Sequence, residues 1–385
     1  MKIVHLTSVH DWNDTRIFVK MCRSLVQQGH DVHLVVPRRG IFEVEVIEGV
    51  TIHPVSVPIG RMYRMTVTVL SILQVAQAIR ADLYHFHDPE FLPWAPYWQW
   101  RLQRPFIYDV HEDYRGRVLV KEWIPLLLRG VISWLVAKLE SWAGRRLSGV
   151  VVVTPGIGKY FDGLCKVVIV RNFPRLDEFE DEVCDTPAEL GHFVYVSGVL
   201  TEERGIDQAI AAIAMAGDGF RLSIAGVWMN DAYRQRCESM KGWSQVDFLG
   251  YIDRNDVVGA LRKAQAGLEI AIATPGYEET YPTKLFECMA SARPIIIADF
   301  PVYRPFIDRA TCGILIDPSS PARISEAMKW VRGNPIEASE MGKRGKAAIE
   351  TDYNWTGELP SLLELYESSL YRWGLCSHAR SNKVN

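Results

Sequence analysis

A strand–helix alternation that runs, stops and starts again is the strongest constraint in this chain. Lys2 to Thr7 is a short β-rich run ending in a polar turn, Ile17 to Gln28 has helical spacing and is stopped by Gly29, and His33 to Pro37 is β-rich again. Strand, helix and strand in so short a span make a βαβ unit, which commits the chain to a parallel sheet. A helix over Met65 to Ala81 follows, then strands at Leu83–His87, Phe106–Val110, Val150–Thr154 and Val167–Val170. Asn172 to Gly191 (NFPRLDEFEDEVCDTPAELG) is acidic, carries two prolines and lacks periodicity, so it reads as an interdomain linker. After it come strands at Phe193–Val196, Phe220–Ala225, Val246–Leu249, Gly267–Ile272, Pro294–Ala298 and Gly313–Ile316, with helices at Ile206–Met215 and Asn255–Ala264. The last helices, Pro321–Arg332, Ile336–Ile349 and Leu359–Trp373, have no strands between them. The expectation is α/β: two doubly wound parallel-sheet domains, 1–172 and 173–354. The final helix, about 355–375, packs back on the first, and 376–385 forms a disordered tail.

Composition narrows the function. At 385 residues the chain exceeds one comfortable core, and 48% apolar with 23% charged residues describes a globular protein. A net charge of −3 argues against a dedicated nucleic-acid binder. The seven cysteines are scattered without metal-ligand spacing, which suits reduced thiols in a cytoplasmic protein. The N-terminal MKIVHLTSV is too short an apolar run for a signal peptide. The most apolar region, Trp123 to Ala137, is broken by Arg129 and falls short of the ~20 residues a spanning helix needs. Neither half has GxGxxG after its first strand, and GxxxxGK[ST] does not occur, so a dinucleotide cofactor and the commonest ATPase reading lack support.

The chemistry concentrates in EETYPTKLFECMASARPIII, Glu278 to Ile297. Pro282, Thr283 and Lys284 read as the first turn of a helix, whose free N–H groups and positive dipole end suit an anion, with Lys284 adding a charge. Glu279 before the turn and Glu287 one turn inside can take hydroxyls of a molecule carrying that anion. A phosphate flanked by hydroxyl-binding carboxylates describes a sugar nucleotide. The competing reading is an amphipathic helix with a solvated acidic flank.

In the first half, ligands of a doubly wound sheet sit beyond the carboxyl ends of the strands. That places the polar loop Ser8 to Arg16, with His10, Asp14, Thr15 and Arg16, and the loop Asp88-Pro89-Glu90 along a cleft, together with His111 after its strand. Asp88 reads more as a turn-former. Arg115 to Arg146, rich in Trp, Leu and basic residues, reads as one or two amphipathic helices. Most of it should pack on its own domain, with a lipid-facing share where Trp123, Leu126, Leu127 and Leu128 meet Lys121 and Arg129.

These motifs (HLTSVH, SLVQQGHDVHLVVP, HFHDPE, IYDVHED, VVVTPG, VRNFP, YVSGVLTEERGID, FLGYI and ETYPTKLFECMASARPII) resemble the family-four retaining glycosyltransferases of the GT-B fold over nearly the whole chain. The resemblance implies two Rossmann-like domains facing a central cleft and transfer of a sugar from a nucleotide-diphosphate donor with retention, without metal or cofactor. The acceptor would be a glycan or lipid-linked hydroxyl in cell-surface polysaccharide or O-antigen synthesis. It assigns Glu287 to the ribose, Glu279 to the donor sugar, and Thr283 with Lys284 to the phosphates. Gly198, Tyr251 and Ile252 would lie along the donor, and His111 would orient the sugar or acceptor. The family usually has Gly-Arg after the first strand of its second domain, with a further cation nearby. Here Val199 follows Gly198 and only Arg204 remains, so Lys284 is the candidate second cation. With the cysteine usage and the segment 115–146, the expectation is a cytoplasmic protein, peripheral on the cytoplasmic face of the membrane. A sugar-nucleotide 2-epimerase and a non-catalytic sugar-nucleotide-binding subunit share the architecture and stay open.

Overall fold

The computed structural model describes residues 1–38, 43–56, 60–121, 124–179, 187–274 and 280–375. The chain divides into two compact units, one of Met1–Asn172 with Glu358–Asn385, the other of Phe173–Gly357.

Among the described residues the first unit holds eight strands: β1 (Lys2–Leu6), β2 (Asp31–Arg38), β3 (Glu45–Ile47), β4 (Val50–Ser56), β5 (Leu83–Phe86), β6 (Phe106–Val110), β7 (Gly149–Val152) and β8 (Val167–Ile169). Their order is β3-β4-β2-β1-β5-β6-β7-β8. All pairings are parallel except β3 on β4, a short hairpin at the edge that the sequence reading did not anticipate. The chain order reverses between β1 and β5, whose residues Ile3 to Leu6 lie opposite Leu83 to Phe86. Continuous apolar strands fit a sheet covered on both faces, and Val4, Leu6, Tyr84, Phe86, Tyr108 and Val150 are all within the core.

The second unit holds β9 (Glu189–Leu200), β10 (Arg221–Trp228), β11 (Val246–Gly250), β12 (Ala264–Glu269), β13 (Ile295–Ala298) and β14 (Gly313–Ile316). Every pairing is parallel. The order β11-β10-β9-β12-β13-β14 is the 3-2-1-4-5-6 order of a dinucleotide-type Rossmann sheet. Two expectations shift. β12 begins at Ala264, three residues before the expected start, because Ala264 to Glu269 are all buried while Ile270 onward leaves the ladder. The acidic stretch is also no bare linker: its Phe173 and Phe179 are buried in the second core, where Phe173 meets Phe286 at 4.7 Å and Tyr353 at 5.6 Å between ring centroids. Each such ring contributes roughly 1.5–3 kcal/mol of burial, enough to anchor an otherwise polar segment. Residues 180–186 of that stretch and the tail 376–385 lie outside the described residues.

Arg115 to Arg146 forms two helices, Tyr114–Val120 and Leu126–Gly144. Glu140 and Ala143 face inward, with Arg115 donating to the buried Glu140 at 2.6 Å. Leu126, Leu127, Leu128, Val131, Trp134, Leu135 and Trp142 stay exposed, Leu127 at 93%. No helix among the described residues is long and apolar enough to cross a membrane. Trp123 lies outside the described residues.

Candidate functional site

Polar residues gather where the strand order reverses in each unit. In the first, the loop after β1 and the loop after β5 are tied by Asp88. Its carboxylate accepts from the Thr7 hydroxyl and the Ser8 N–H, both at 2.7 Å, while its carbonyl accepts from the Phe91 N–H at 3.3 Å, so Asp88 forms the expected turn after β5 and is also a buried organiser of the loop after β1. Asp14 caps the helix Thr15–Cys22 by accepting from the N–H groups of Arg16 and Ile17, each at 2.9 Å. Its other oxygen meets His10 Nδ1 at 3.0 Å, and His10 Nε2 lies 3.5 Å from Asp88. Burial alone would lower the His10 pKa, but the Asp14 hydrogen bond and the charges of Asp88, Asp14 and Glu112 override it and raise it to about 9.

His111 presents the opposite case. Burial holds its ring below the ordinary imidazole value against the pull of Asp109, and Nδ1 is buried without a hydrogen bond. The His10 and His111 rings meet edge-on at 5.1 Å, and Tyr114 lies 3.4 Å from His111 Nε2. The two neighbouring imidazoles thus have their pKa values pushed in opposite directions, His10 up and His111 down. Glu90 pairs with Arg64 at 3.0 Å, and burial with the neighbouring Asp88 charge raises its pKa. Thr15, half-buried, opens the helix that Asp14 caps.

Arg16 departs from its expected place along the cleft. Its guanidinium is buried, forked onto Asp109 at 2.8 and 2.7 Å and bonded to the Val170 carbonyl at 3.1 Å. A buried aspartate inside a strand needs that charge, and His87 completes the set at 2.9 Å. His5, His85 and His87 bring one nitrogen each within 4.8 Å of the others, the one group among the described residues spaced to hold a metal ion. Hydrogen bonds engage it already: His5 Nδ1 to His87 Nε2 at 2.9 Å and His85 Nδ1 to the Tyr366 hydroxyl at 2.6 Å.

In the second unit the loop after β9 is sewn to the chain leaving β12. The Ile272 N–H donates to the Glu203 carbonyl at 2.8 Å, and Gly205, at φ 70°, lies so close that a Cβ would meet the Ile270 carbonyl oxygen at 2.3 Å. This fixes Arg204, half-buried on the turn Glu202–Arg204, whose carbonyl accepts from the Tyr195 hydroxyl at 2.9 Å. Gly198 and Val199 are exposed at the end of β9. Tyr251 is 73% exposed just past β11, while Ile252 packs on the core.

The helix of the opening motif spans Thr283–Ala290, preceded by Pro282 in extended conformation. Leu285, Phe286, Cys288 and Met289 are buried, and Glu287, the helix's one carboxylate, lies off that apolar face, half-buried. Glu287 pairs with Arg254, which also holds Glu178 at 2.8 Å. Lys284 departs from its expected role: its ammonium turns inward, paired with the buried Glu269, 3.0 Å from the Tyr195 hydroxyl and 4.2 Å from that ring's centroid. The buried carboxylate at the end of β12 outcompetes solvent for that charge. Glu279 lies outside the described residues. Sequence reasoning missed Asp109, Glu269 and Arg254. The first two had a signal, a carboxylate within a buried strand pattern; Arg254, at an ordinary helix start, had none.

A 3-2-1-4-5-6 sheet with a carboxylate-bearing helix at its carboxyl edge defines a Rossmann-type α/β protein. The comparisons then give the family. The family model described as glycosyl transferases group 1 matches residues 186–348, and that described as glycosyltransferase family 4 matches residues 15–173. The chain belongs to the family-four, group 1 glycosyltransferases, and its fold is GT-B. It is 26% identical over 284 residues to the D-rhamnosyltransferase WbpZ of Pseudomonas aeruginosa, covering 70% of this chain and 69% of that one. A glycogen synthase of Mycobacterium tuberculosis is 22% identical over 314 residues, 74% of this chain and 69% of that one. Among solved structures, sucrose-phosphate synthase of Thermosynechococcus elongatus superposes with a TM-score of 0.74 at 16% identity, over 97% of this chain and all of that one. Anabaena HepE in complex with UDP and glucose superposes with a TM-score of 0.73 at 12% identity, over 96% of this chain and 100% of that one.

Proposed function

We propose that the protein transfers a sugar from a nucleoside-diphosphate donor to a hydroxyl of a glycan or lipid-linked acceptor, with retention at the anomeric carbon, in the building of a cell-surface polysaccharide or O-antigen. The observation that carries this is Glu287, a carboxylate off the apolar face and one turn into the helix at the carboxyl edge of the second sheet, in a chain of a glycosyltransferase family. Glu287 would take the ribose hydroxyls, Glu279 the donor sugar, and Gly198, Tyr251 and Ile252 would flank the nucleotide. Arg204 and the N–H groups of Thr283 and Lys284 would meet the diphosphate. Stabilising the departing diphosphate is the main electrostatic task, and a single oriented donor there is worth roughly 3–4 kcal/mol. With the Lys284 ammonium engaged by Glu269, the backbone end of that helix takes over the part expected of its side chain. As proposed, Arg204 and the helix N–H groups carry the charge of the leaving diphosphate, and the reaction takes no cofactor and no metal.

The acceptor is read as lipid-borne because of the exposed apolar stripe on Leu126–Gly144. Leu127, Val131, Trp134, Leu135 and Trp142 recur at helical spacing, with Lys138 over the Trp134 ring and Arg146 over Trp142. Apolar residues bordered by basic ones suit the anionic, cytoplasmic leaflet of a membrane. One observation favours a second reading: the His10–Asp14–Asp88–His111 group is the kind of acid/base set a sugar-nucleotide 2-epimerase needs in its first domain.

Incubating the protein with labelled UDP-, GDP- and dTDP-sugars, with and without membrane lipid extract, separates these readings. Labelled lipid with slow donor hydrolysis supports transfer, an isomerised donor supports the epimerase, and donor binding without turnover supports a binding subunit.

A further inference from the structure

We infer that Arg254 is the positioning residue for ribose recognition: it fixes Glu287 by one carboxylate oxygen and leaves the other to the 2′- and 3′-hydroxyls of the donor. The inference rests on the reading of Glu287 given above.

Arg254 opens the helix Arg254–Lys263, whose N-terminus Asp253 caps by accepting from the Asp256 N–H at 3.0 Å, so its backbone is held. From there the guanidinium joins three segments. Nη1 donates to Glu287 Oε1, while Nη2 and Nε converge on Glu178 Oε2 at 2.8 and 3.2 Å. The guanidinium carbon also lies 5.5 Å from the centroid of the Phe179 ring. All three charged side chains are largely shielded, Arg254 at 29%, Glu287 at 13% and Glu178 at 10% exposure. A planar fork with fixed donor directions, anchored at its far side by Glu178 and Phe179, holds a carboxylate in one rotamer as a flexible ammonium cannot.

The consequence for a ligand follows from the lone pairs. A carboxylate can accept about four hydrogen bonds, and the Arg254 bond is made by Oε1. Without Arg254, Glu287 would have to be ordered at the moment of binding, and two adjacent carboxylates would face an anionic nucleotide without a compensating charge. Arg254 therefore acts on donor affinity and on discrimination against 2′-deoxyribose, with little effect on the chemical step.

The test is calorimetry of the full-length protein with UDP, GDP and their 2′-deoxy counterparts. For the base that binds, the wild type should prefer the ribonucleotide roughly tenfold or more, the worth of one hydrogen bond to a charged group. Arg254→Met should bring that ratio to within about twofold and raise the donor KM while kcat changes by less than about threefold. Arg254→Lys, which keeps the charge but not the fork, should recover part of the ratio. A wild-type ratio in Arg254→Met overturns the inference, and if that variant does not fold, a wild-type ratio in Arg254→Lys does so. Failure of the Glu287 reading looks different: none of the four nucleotides binds, or Glu287→Gln binds the ribonucleotide as the wild type does, and either result also removes the role inferred for Arg254.

Discussion

Arg16 and Asp109, 93 residues apart in sequence, are joined by two side-by-side hydrogen bonds inside the first sheet, where Asp109 has no exposed surface. Burial alone would raise the Asp109 pKa, but Arg16 and His87 hold it well below the ordinary carboxylate range. The stabilisation is therefore present above that range and is lost only as pH falls through the lowered value. Arg16→Met leaves a buried carboxylate without its main partner and should cost about 3–5 kcal/mol, read as a shift of the urea midpoint. An unmoved midpoint would show that the pair contributes nothing net.

His10 makes a prediction of opposite sign. Its folded pKa of about 9 lies above the ordinary 6.5, so its contribution to stability is full below pH 6.5 and fades as pH rises toward 9. Asp14→Asn should move the His10 titration down, followed by NMR of the imidazole protons. A value still near 9 in that variant would assign the shift to Asp88 and Glu112 instead.

The Lys284 pairing alters how a substitution there is to be read. Lys284→Ala strands Glu269 in a buried place and should destabilise the second unit by about 3–5 kcal/mol, beyond any effect on catalysis. Lys284→Met combined with Glu269→Leu should be closer to wild type in thermal midpoint than Lys284→Ala alone. Should the single variant melt like wild type, the inward pairing is not made in solution.

Gly205 is held by both conformation and space. Gly205→Ala forces a side chain to φ 70° and into the Ile270 carbonyl, so it should cost at least about 1–3 kcal/mol in unfolding free energy and displace the Arg204 turn. Donor binding should weaken more in this variant than in Gly198→Ala, where an added Cβ meets nothing within 4 Å. Equal affinities in the two would separate the turn from the donor site.

The exposed stripe is tested by charge. Leu127→Glu, Val131→Glu and Leu135→Glu together change residues that are 93%, 54% and 51% exposed, so the thermal midpoint should hold. Co-sedimentation with phosphatidylglycerol vesicles should fall several-fold. Undiminished vesicle binding would remove this helix as the membrane-facing element.

The two sheets were legible because their strands are short, mostly apolar runs that alternate with helical spacing, and the Thr283–Ala290 helix because Pro282 marks its start and its apolar positions keep helical spacing. Charge pairings were not legible. Nothing local distinguishes Lys284 aimed at a ligand from Lys284 paired with Glu269, since the choice is made by a strand far away in sequence. Arg16 sits in a polar loop that reads as solvent-facing, yet Asp109 draws it inward. The length of β9 was not legible: the expected strand, Phe193–Val196, is its buried middle, and the exposed Glu189, Leu190 and Val199 toward its ends carry no strand pattern.

The helix Trp355–Arg372 fills a place in the first unit, with Tyr366 on His85, Lys166 reaching Glu364 and Ser368, and Trp373 donating to Ser148 just beyond. On the ribosome, that unit is made first but lacks this helix until the second unit has been translated. The second unit, by contrast, is contiguous and has all its own segments once Gly357 is made. The half of the protein that starts synthesis is thus the half completed last, and nascent chains stalled before Glu358 should engage chaperones through the uncovered His85 side of the first sheet more than through the second.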